Sequence, residues 1–397
     1  MANIEDHIVV VGMSRTPIGG FQGSLKDISA TDLGSFAIRA ALNRSKISAE
    51  KIDEVLMGCV LPAGVGQAPA RQASLGAGIP ESTGCTTINK MCGSGMKTVM
   101  IAHDLLVAKT NNIIVAGGLE SMSNTPYILP KARSGQRIGH GQMIDHMFLD
   151  GLEDAYEKGT LMGVFAENTA KKYRFSRRLQ DEFAIRSLNR ARQAIEDGSF
   201  ENEITAVSYV KRGEKFYVQK DEQPIIANLE KIAKLKPAFK EDGTVTAANS
   251  SSISDGAAAL VLMRESNAKK LKIKPLARFK GHCSFAHSPK WFTTAPVYAI
   301  KKILKEVKWD TKNIDLYEIN EAFAVVTMAA MKDLDLPHEK VNIHGGACAL
   351  GHPIGASGTR ILVTLISALK KYKKKRGIAT LCIGGGEAIS MAVENID

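Results

Sequence analysis

Apolar and polar residues follow one another along the chain in a pattern that predicts alternating strands and helices. The uninterrupted apolar run at residues 8–11 is typical of a strand buried on both faces of a sheet. Apolar positions then recur at helical spacing between residues 31 and 42, where Thr31 can cap the helix. The same reasoning predicts strands at residues 52–59, 83–88 and 112–116, and helices at residues 67–77 and 96–108. This alternation favours a parallel or mixed sheet with helices on its faces.

The middle of the chain, residues 121–249, departs from this pattern because it is more charged and more irregular. It contains one clear helix, at residues 176–197, with Ser176 as the expected cap and Gly198 as the expected stop. Regular alternation resumes with a strand at 257–263, a helix at 296–307 and a strand at 315–319. We therefore predict that the middle region is inserted into an α/β core.

A short repeat relates the first part of the chain to the last. A Gly-Ser-Gly turn around Ser94 precedes a helix, a strand and a Gly-Gly-Leu-Glu sequence that ends at Glu120. An Ala-Ser-Gly turn around Ser357 precedes a helix, a strand and a Gly-Gly-Gly-Glu sequence that ends at Glu387. A duplicated α/β unit interrupted by the insertion explains this order, with a chance match of short segments as the alternative.

Composition limits the classes of protein to which the chain can belong. Its 397 residues, 44% of them apolar, suffice for two or more core-forming units. No apolar run approaches the roughly 20 residues that a membrane-spanning helix requires. The first six residues lack the basic and apolar regions of a secretory signal. Six cysteines without a close Cys-x-x-Cys pair favour a reducing compartment, and we expect the cytoplasm.

The net charge of +11 is compatible with nucleic acid, an anionic membrane or a polyanionic small molecule as partner. The densest basic run, at residues 370–376, is interpreted as the solvated end of a helix, where cations offset the helix dipole. No zinc finger, RNA-recognition signature or basic zipper is recognisable. The sequence therefore offers no support for nucleic-acid binding, and we expect neither nucleic acid nor a membrane as partner.

Cys92 stands out because it lies between a predicted strand and a predicted helix. Two glycines with a serine between them follow it, so the thiol is expected at a bend where the helix begins. Unpaired N–H groups and the positive end of the helix dipole would stabilise a thiolate there and lower the pKa of Cys92. The alternative is a buried structural cysteine beside a tight turn.

The far half of the chain offers groups that could cooperate with this thiol. His352 lies in a glycine-rich loop and precedes Pro353, a setting typical of a functional histidine that could accept the Cys92 proton. Cys382 ends a predicted strand at three glycines whose N–H groups could bind an oxyanion. A metal site of His344, Cys348 and His352 is disfavoured, because the intervening glycines interrupt the helix that would align them.

Four motifs in this order resemble the thiolase family, and within it the short-chain acetoacetyl-CoA thiolases. The motifs lie at residues 89–97, 320–324, 345–358 and 382–386. The resemblance implies an α/β, thiolase-like five-layered αβαβα fold built from two duplicated halves with an inserted loop domain. It divides the chain into residues 1–121, an N-terminal half completed by 250–275; residues 122–249, the loop domain with CoA-binding and oligomer contacts; and residues 276–397, the C-terminal half.

The resemblance also implies roles for individual residues. Cys92 would be the acylated nucleophile, His352 its activator, and Cys382 the general acid and base. Asn320 would hold a water that binds a thioester oxygen together with His352, and the N–H groups of Cys92 and Gly384 would form a second oxyanion hole. The acyl-CoA would contact a further set of residues, namely Leu152, Met162, Ala247, Ser251, Phe292, Ala322 and Phe323.

The activity implied by the resemblance is acetyl-CoA acetyl transfer by a ping-pong Claisen condensation. Two acetyl-CoA would give acetoacetyl-CoA and CoA through acetyl-Cys92, with thiolysis as the reverse reaction. CoA thioesters would be substrates, without a separate cofactor or metal, and the expected assembly is a homotetramer. The alternatives are a 3-ketoacyl-CoA thiolase of fatty-acid β-oxidation with broader chain-length range, a decarboxylating condensing enzyme, and a CoA- or lipid-binding protein without catalysis.

Overall fold

The central feature of the computed structural model, which describes residues 6–396, is a ten-stranded mixed sheet accompanied by two small hairpins. The strands are β1 Ile8–Arg15, β2 Gly19–Gly20, β3 Glu54–Gly58, β4 Gly84–Ile88, β5 Ile113–Ser121, β6 Tyr127–Ile128, β7 Ile144–Asp145, β8 Val207–Lys211, β9 Glu214–Val218, β10 Ser254–Arg264, β11 Ala277–Ala286, β12 Leu316–Ile319, β13 Arg376–Ile383 and β14 Glu387–Asn395. The sheet order is β12-β13-β14-β11-β1-β10-β5-β3-β4, with β2 beside β10.

Twelve α-helices accompany the strands in the part of the chain that the structure describes. They are α1 Ala30–Ser45, α2 Pro69–Gly76, α3 Ser94–Val107, α4 Met162–Tyr173, α5 Arg177–Glu196, α6 Glu222–Ile226, α7 Leu229–Ile232, α8 Glu265–Lys270, α9 Ala295–Val307, α10 Ala324–Leu334, α11 Ala347–Leu350 and α12 Ser357–Lys371. Within residues 6–396, no helix combines the length and the apolar character needed to cross a bilayer.

The sheet consists of two halves with the same pairing pattern. In the first half, β3 runs parallel to β5, and β5, β10 and β1 pair antiparallel in that order. In the second, β12 runs parallel to β13, and β13, β14 and β11 pair antiparallel. The halves meet where β1 and β11 pair at two positions, Val9 with Arg278 and Val10 with Ala277.

Side chains on the two faces of the sheet enter different layers. On β1, Ile8 and Val10 pack in a core with α3 and α12, whereas Val9 and Val11 pack in a core with α1 and α2. Successive side chains of a strand point to opposite faces of the sheet. A strand that is buried on both faces therefore has apolar residues at consecutive positions. A third core packs α9 and α10 against the second half. The five-layered αβαβα fold is thereby confirmed.

The region between β5 and β10 contains α4 to α7 and both small hairpins. The predicted helix at 176–197 is α5, whose cap Ser176 accepts a hydrogen bond from the N–H of Leu179 at 3.3 Å. The prediction of a single clear helix was incomplete, because α4 is also present. Its buried side, which includes Phe165 and Ala166, packs against Val245 and Phe292, contacts that local sequence does not reveal.

A buried ion-pair group connects this region to the sheet. The guanidinium of Arg15, on β1, contacts Glu203 at 2.6 Å and Asp221 at 2.7 Å, and all three side chains are fully buried. Removing one partner would leave an uncompensated buried charge, which typically costs about 3–5 kcal/mol.

Because β10 returns to the first half beside β5, we propose residues 122–249 as the loop domain, with 1–121 plus 250–275 and 276–397 as the two halves.

Candidate active site

Cys92 lies in a tight turn between β4 and α3. The preceding residue, Met91, has φ +48°, which is unusual for a residue with a side chain, and the Asn89 side chain accepts a hydrogen bond from its N–H at 2.9 Å. Ser94 receives the N–H of Lys90 at 2.8 Å and donates to the carbonyl of Met91 at 2.6 Å. These bonds fix the direction in which the chain enters α3, and with it the position of the thiol.

The charge state expected for Cys92 is wrong. Burial raises the pKa of the thiol to about 11, while hydrogen bonds from the N–H groups of Gly384 and of Cys92 itself act in the opposite direction. Cys92 packs against the central apolar core, and desolvation there outweighs the effect of the helix end. The free thiol is therefore neutral at pH 7, and its attack on a substrate requires a base.

His352 is held with one ring nitrogen free for such a role. Its Nδ1 lies 2.5 Å from the hydroxyl of Ser357, and that hydroxyl donates its only proton to the carbonyl of Pro353 at 2.9 Å. The tautomer that satisfies both contacts at once has the proton on Nδ1, which donates to the hydroxyl, and leaves Nε2 unprotonated. The buried Nε2 has no hydrogen-bond partner among residues 6–396. Burial, aided by the charge of Arg360, lowers the pKa of His352 to about 3, so the ring is neutral and able to accept a proton.

The positioning role of Ser357 is testable by Ser357→Ala. The change leaves the buried Nδ1–H of His352 without its partner, a loss of about 1–3 kcal/mol that corresponds to roughly a tenfold to a hundredfold decrease in kcat. Steady-state kinetics with acetyl-CoA, the substrate that the resemblance implies, should show this decrease with little change in KM. Ser367→Ala, also buried on α12, is the matched control. An equal decrease in both variants, or an unchanged kcat in Ser357→Ala, would contradict the role.

Helices α3 and α12 cross closely at the ends that carry these groups. A Cβ atom at Gly95 would lie 2.8 Å from the carbonyl oxygen of Gly355, and one at Gly358 would lie 2.3 Å from the N of Met96. The Thr359 hydroxyl donates to the carbonyl of Gly95 at 2.8 Å. Glycine at these positions lets the turn with Cys92 and the loop with His352 approach from opposite halves of the fold.

Cys382 and the glycines after it complete the surroundings of Cys92. Cys382 is fully buried at the end of β13, and desolvation followed by the nearby Cys92 raises the pKa of its thiol well above the usual value. The following turn places Gly386 at φ +90°, where an added Cβ would also meet the His287 carbonyl at 2.4 Å. The turn directs the Gly384 N–H towards the Cys92 sulfur, so both thiols and this N–H lie together.

Asn320 also offers free polar atoms. It follows β12, is 1% exposed, and neither its amide oxygen nor its amide nitrogen has a partner within the described chain. The neighbouring backbone is tied to the segment before β10, because the N–H of Ser251 donates to Ala322 at 3.0 Å. The N–H of His352 donates to Ser252, in the same segment, at 3.1 Å. A buried amide without protein partners suits a bound water or a substrate oxygen.

The residues expected to bind the acyl-CoA fall into separate groups. One apolar cluster contains Cys382 together with four of them, Met162, Phe292, Ala322 and Phe323. Leu152 belongs to another apolar cluster, together with Met91 and Ile354. Met91 immediately precedes Cys92, and Ile354 lies two residues after His352. Ser251 is half-buried beside Ala322, and Ala247 is exposed earlier in the same segment.

Glu120 and Glu387, which end the two repeated segments of the sequence, were not among the predicted site residues. The buried Glu120 carboxylate accepts the N–H of Val60 at 3.0 Å, of Leu61 at 3.2 Å and of Gly355, in the His352 loop, at 2.9 Å. Glu387 pairs with Lys90, in the Cys92 turn, at 2.5 Å. Each glutamate thus holds a loop of the opposite half. Because Glu120 and Glu387 occupy equivalent positions in the sequence repeat, a shared structural role for them could have been predicted.

Comparisons with known proteins agree with this architecture. Residues 8–266 match the family "Thiolase, N-terminal domain", and residues 273–395 match "Thiolase, C-terminal domain". Acetyl-CoA acetyltransferase 2 of Arabidopsis thaliana is 50% identical over 98% of this chain and 96% of its own length. The acetyl-CoA acetyltransferase of Escherichia coli K12 is 49% identical over 98% of this chain and 99% of its own. The crystal structure of the Bacillus anthracis acetyl-CoA acetyltransferase superposes with a TM-score of 0.96 at 40% identity, covering 98% and 99% of the two chains. The chain therefore belongs to the thiolase family and is an acyltransferase.

Proposed function

We propose that the protein is an acetyl-CoA C-acetyltransferase that condenses two acetyl-CoA to acetoacetyl-CoA and CoA, and catalyses the reverse thiolysis. The observation that carries this proposal is the grouping of Cys92, Cys382 and the Gly384 N–H beside apolar residues of the loop domain. The relatives named acetyl-CoA acetyltransferase support the choice of acyl group.

The first half-reaction transfers an acetyl group to Cys92. His352 Nε2 accepts the thiol proton as the sulfur attacks the thioester carbonyl, and the N–H groups of Cys92 and Gly384 stabilise the negative oxygen. The C–S bond to CoA then breaks, and Cys382 donates its proton to the departing sulfur. The products are acetyl-Cys92, protonated His352, the Cys382 thiolate and free CoA.

The second half-reaction forms the new carbon–carbon bond. The Cys382 thiolate removes a methyl proton from a second acetyl-CoA, and a water on Asn320 together with His352 stabilises the enolate oxygen. The enolate carbon attacks the acetyl carbonyl, the Cys92 sulfur leaves, and His352 returns the proton to it. Both thiols are restored. The raised pKa of Cys382 suits this step, because its thiolate is a correspondingly strong base.

The remaining substrate contacts and the biological setting form part of the same proposal. Leu152, Met162, Ala247, Ser251, Phe292, Ala322 and Phe323 line the path of the acyl-CoA. The net charge of +11 suits the CoA phosphates, and no cofactor beyond the CoA thioesters is required. Exposed apolar side chains at Leu129, Ile138 and Met143 of the loop domain support assembly into a homotetramer. The cysteine usage of the sequence supports a cytoplasmic location.

Chain-length specificity tests the proposal against its main alternative, a broad-range 3-ketoacyl-CoA thiolase. We expect acetyl-CoA alone to yield acetoacetyl-CoA and CoA in equal amounts, detected by chromatography. Thiolysis of acetoacetyl-CoA should have a higher kcat/KM than thiolysis of 3-ketoacyl-CoA with long chains, because bulky Phe292 and Phe323 lie in the apolar cluster around Cys382. Faster cleavage of long-chain substrates than of acetoacetyl-CoA would favour the alternative. Absence of both condensation and thiolysis would refute the proposed function.

A further inference from the structure

A cluster of two histidines and one aspartate lies apart from the catalytic groups, where the later part of α3 meets β11. His103 and Asp104 belong to α3, and His282 belongs to β11 in the opposite half of the fold. One ligand atom from each residue lies within 4.8 Å of the others. Imidazole nitrogens with a carboxylate oxygen are ligands that zinc and related divalent transition metals prefer.

The ligand atoms already converge on one point. Asp104 Oδ1 lies 2.8 Å from His282 Nε2 and 3.1 Å from His103 Nδ1. Ligands of a tetrahedral zinc ion with bonds of about 2.0 Å are about 3.3 Å apart, so a metal requires only small movements of these side chains. The two imidazoles stand edge to face, with ring centroids 5.0 Å apart, which keeps their planes distinct.

The two histidines are mostly buried and the aspartate is exposed, an arrangement that suits a metal ion with some coordination positions open to water. The side chains of His103 and His282 are 18% and 15% exposed, whereas that of Asp104 is 60% exposed. The imidazoles are thus fixed by a helix and a strand, and water can reach the carboxylate.

We propose that His103, Asp104 and His282 form a binding site for one divalent transition-metal ion of the zinc class, with water completing its coordination. A bound ion would connect α3, which begins beside Cys92, to the sheet of the other half. It would also stabilise the folded chain by mass action, because the unfolded chain does not hold these three ligands together. The site is independent of the proposed acetyl transfer.

Cobalt(II) is the best probe, because its visible spectrum reports the ligand type. Tag-free, chelator-treated protein should bind one Co²⁺ per chain, with d–d bands but no thiolate-to-metal charge transfer, and its unfolding temperature should rise with Co²⁺ or Zn²⁺. His282→Gln and Asp104→Asn should each weaken binding by more than about 100-fold, the upper end of what loss of a residue outside the coordination shell usually costs. His140→Gln, at an exposed position in the loop domain, is the matched control and should bind normally.

Three results would overturn the proposal. They are no stoichiometric binding at millimolar metal, unchanged affinity in both ligand variants, and a thiolate charge-transfer band, which would place the ion on a cysteine. Because Asp104 is exposed, Asp104→Asn tests the ligand set even if His282→Gln unfolds. Acetyl transfer by the metal-free protein is measured separately, so failure of the metal site and failure of the proposed function remain distinguishable.

Discussion

Cys92→Ser is expected to abolish formation of an acetyl-enzyme and to lower condensation by roughly 10³-fold or more. A serine hydroxyl is far less acidic than a thiol, and the same burial that raises the pKa of Cys92 opposes a buried alkoxide still more strongly. The variant should nevertheless fold, because sulfur and oxygen occupy similar positions in the turn.

Intact-protein mass spectrometry after mixing with acetyl-CoA provides the measurement. The wild-type protein should gain one acetyl group, which peptide mapping should place on Cys92. Cys85→Ser, a change at another half-buried cysteine in the same half, should be acetylated like the wild type. Acetylation of Cys92→Ser at the wild-type rate, or mapping of the wild-type adduct to Cys382, would show that the nucleophile was assigned wrongly.

Much of the fold was predictable because its signals are local. The residue 8–11 run on β1 predicts burial on both faces, and Ser176 with Gly198 bounds α5 closely. The repeat around Ser94 and Ser357 predicts two equivalent halves, and α3 and α12 do begin at these serines. In each of these cases, a few adjacent residues carry the information.

Other features depend on contacts between distant segments, and the sequence could not supply them. Helix α4 owes its buried face to Val245 and Phe292, which lie far along the chain. The charge state of Cys92 depends on how completely the central core desolvates it, so reasoning from the helix end gave the wrong direction. The bond between Ser357 and His352 requires the loop to turn back on itself through Pro353.

Cys382→Ser is expected to separate the two half-reactions. Acetylation of Cys92 should continue, because the leaving CoA sulfur is a stable anion and needs little help from an acid. Removal of a methyl proton from acetyl-CoA is much harder, and it requires a base of the strength that the buried Cys382 thiolate provides. We therefore expect condensation to fall by roughly 10²- to 10⁴-fold while acetyl-enzyme accumulates.

Two measurements distinguish this outcome from general damage to the site. Mixing Cys382→Ser with acetyl-CoA should release a single burst of CoA, about one per active site, with little acetoacetyl-CoA. Exchange of acetyl-CoA methyl protons with deuterated solvent, catalysed by the wild type, should be lost. Cys283→Ser, at another buried cysteine of the C-terminal half, should keep both activities. Near-wild-type condensation by Cys382→Ser would contradict this role and assign the proton transfer to another group.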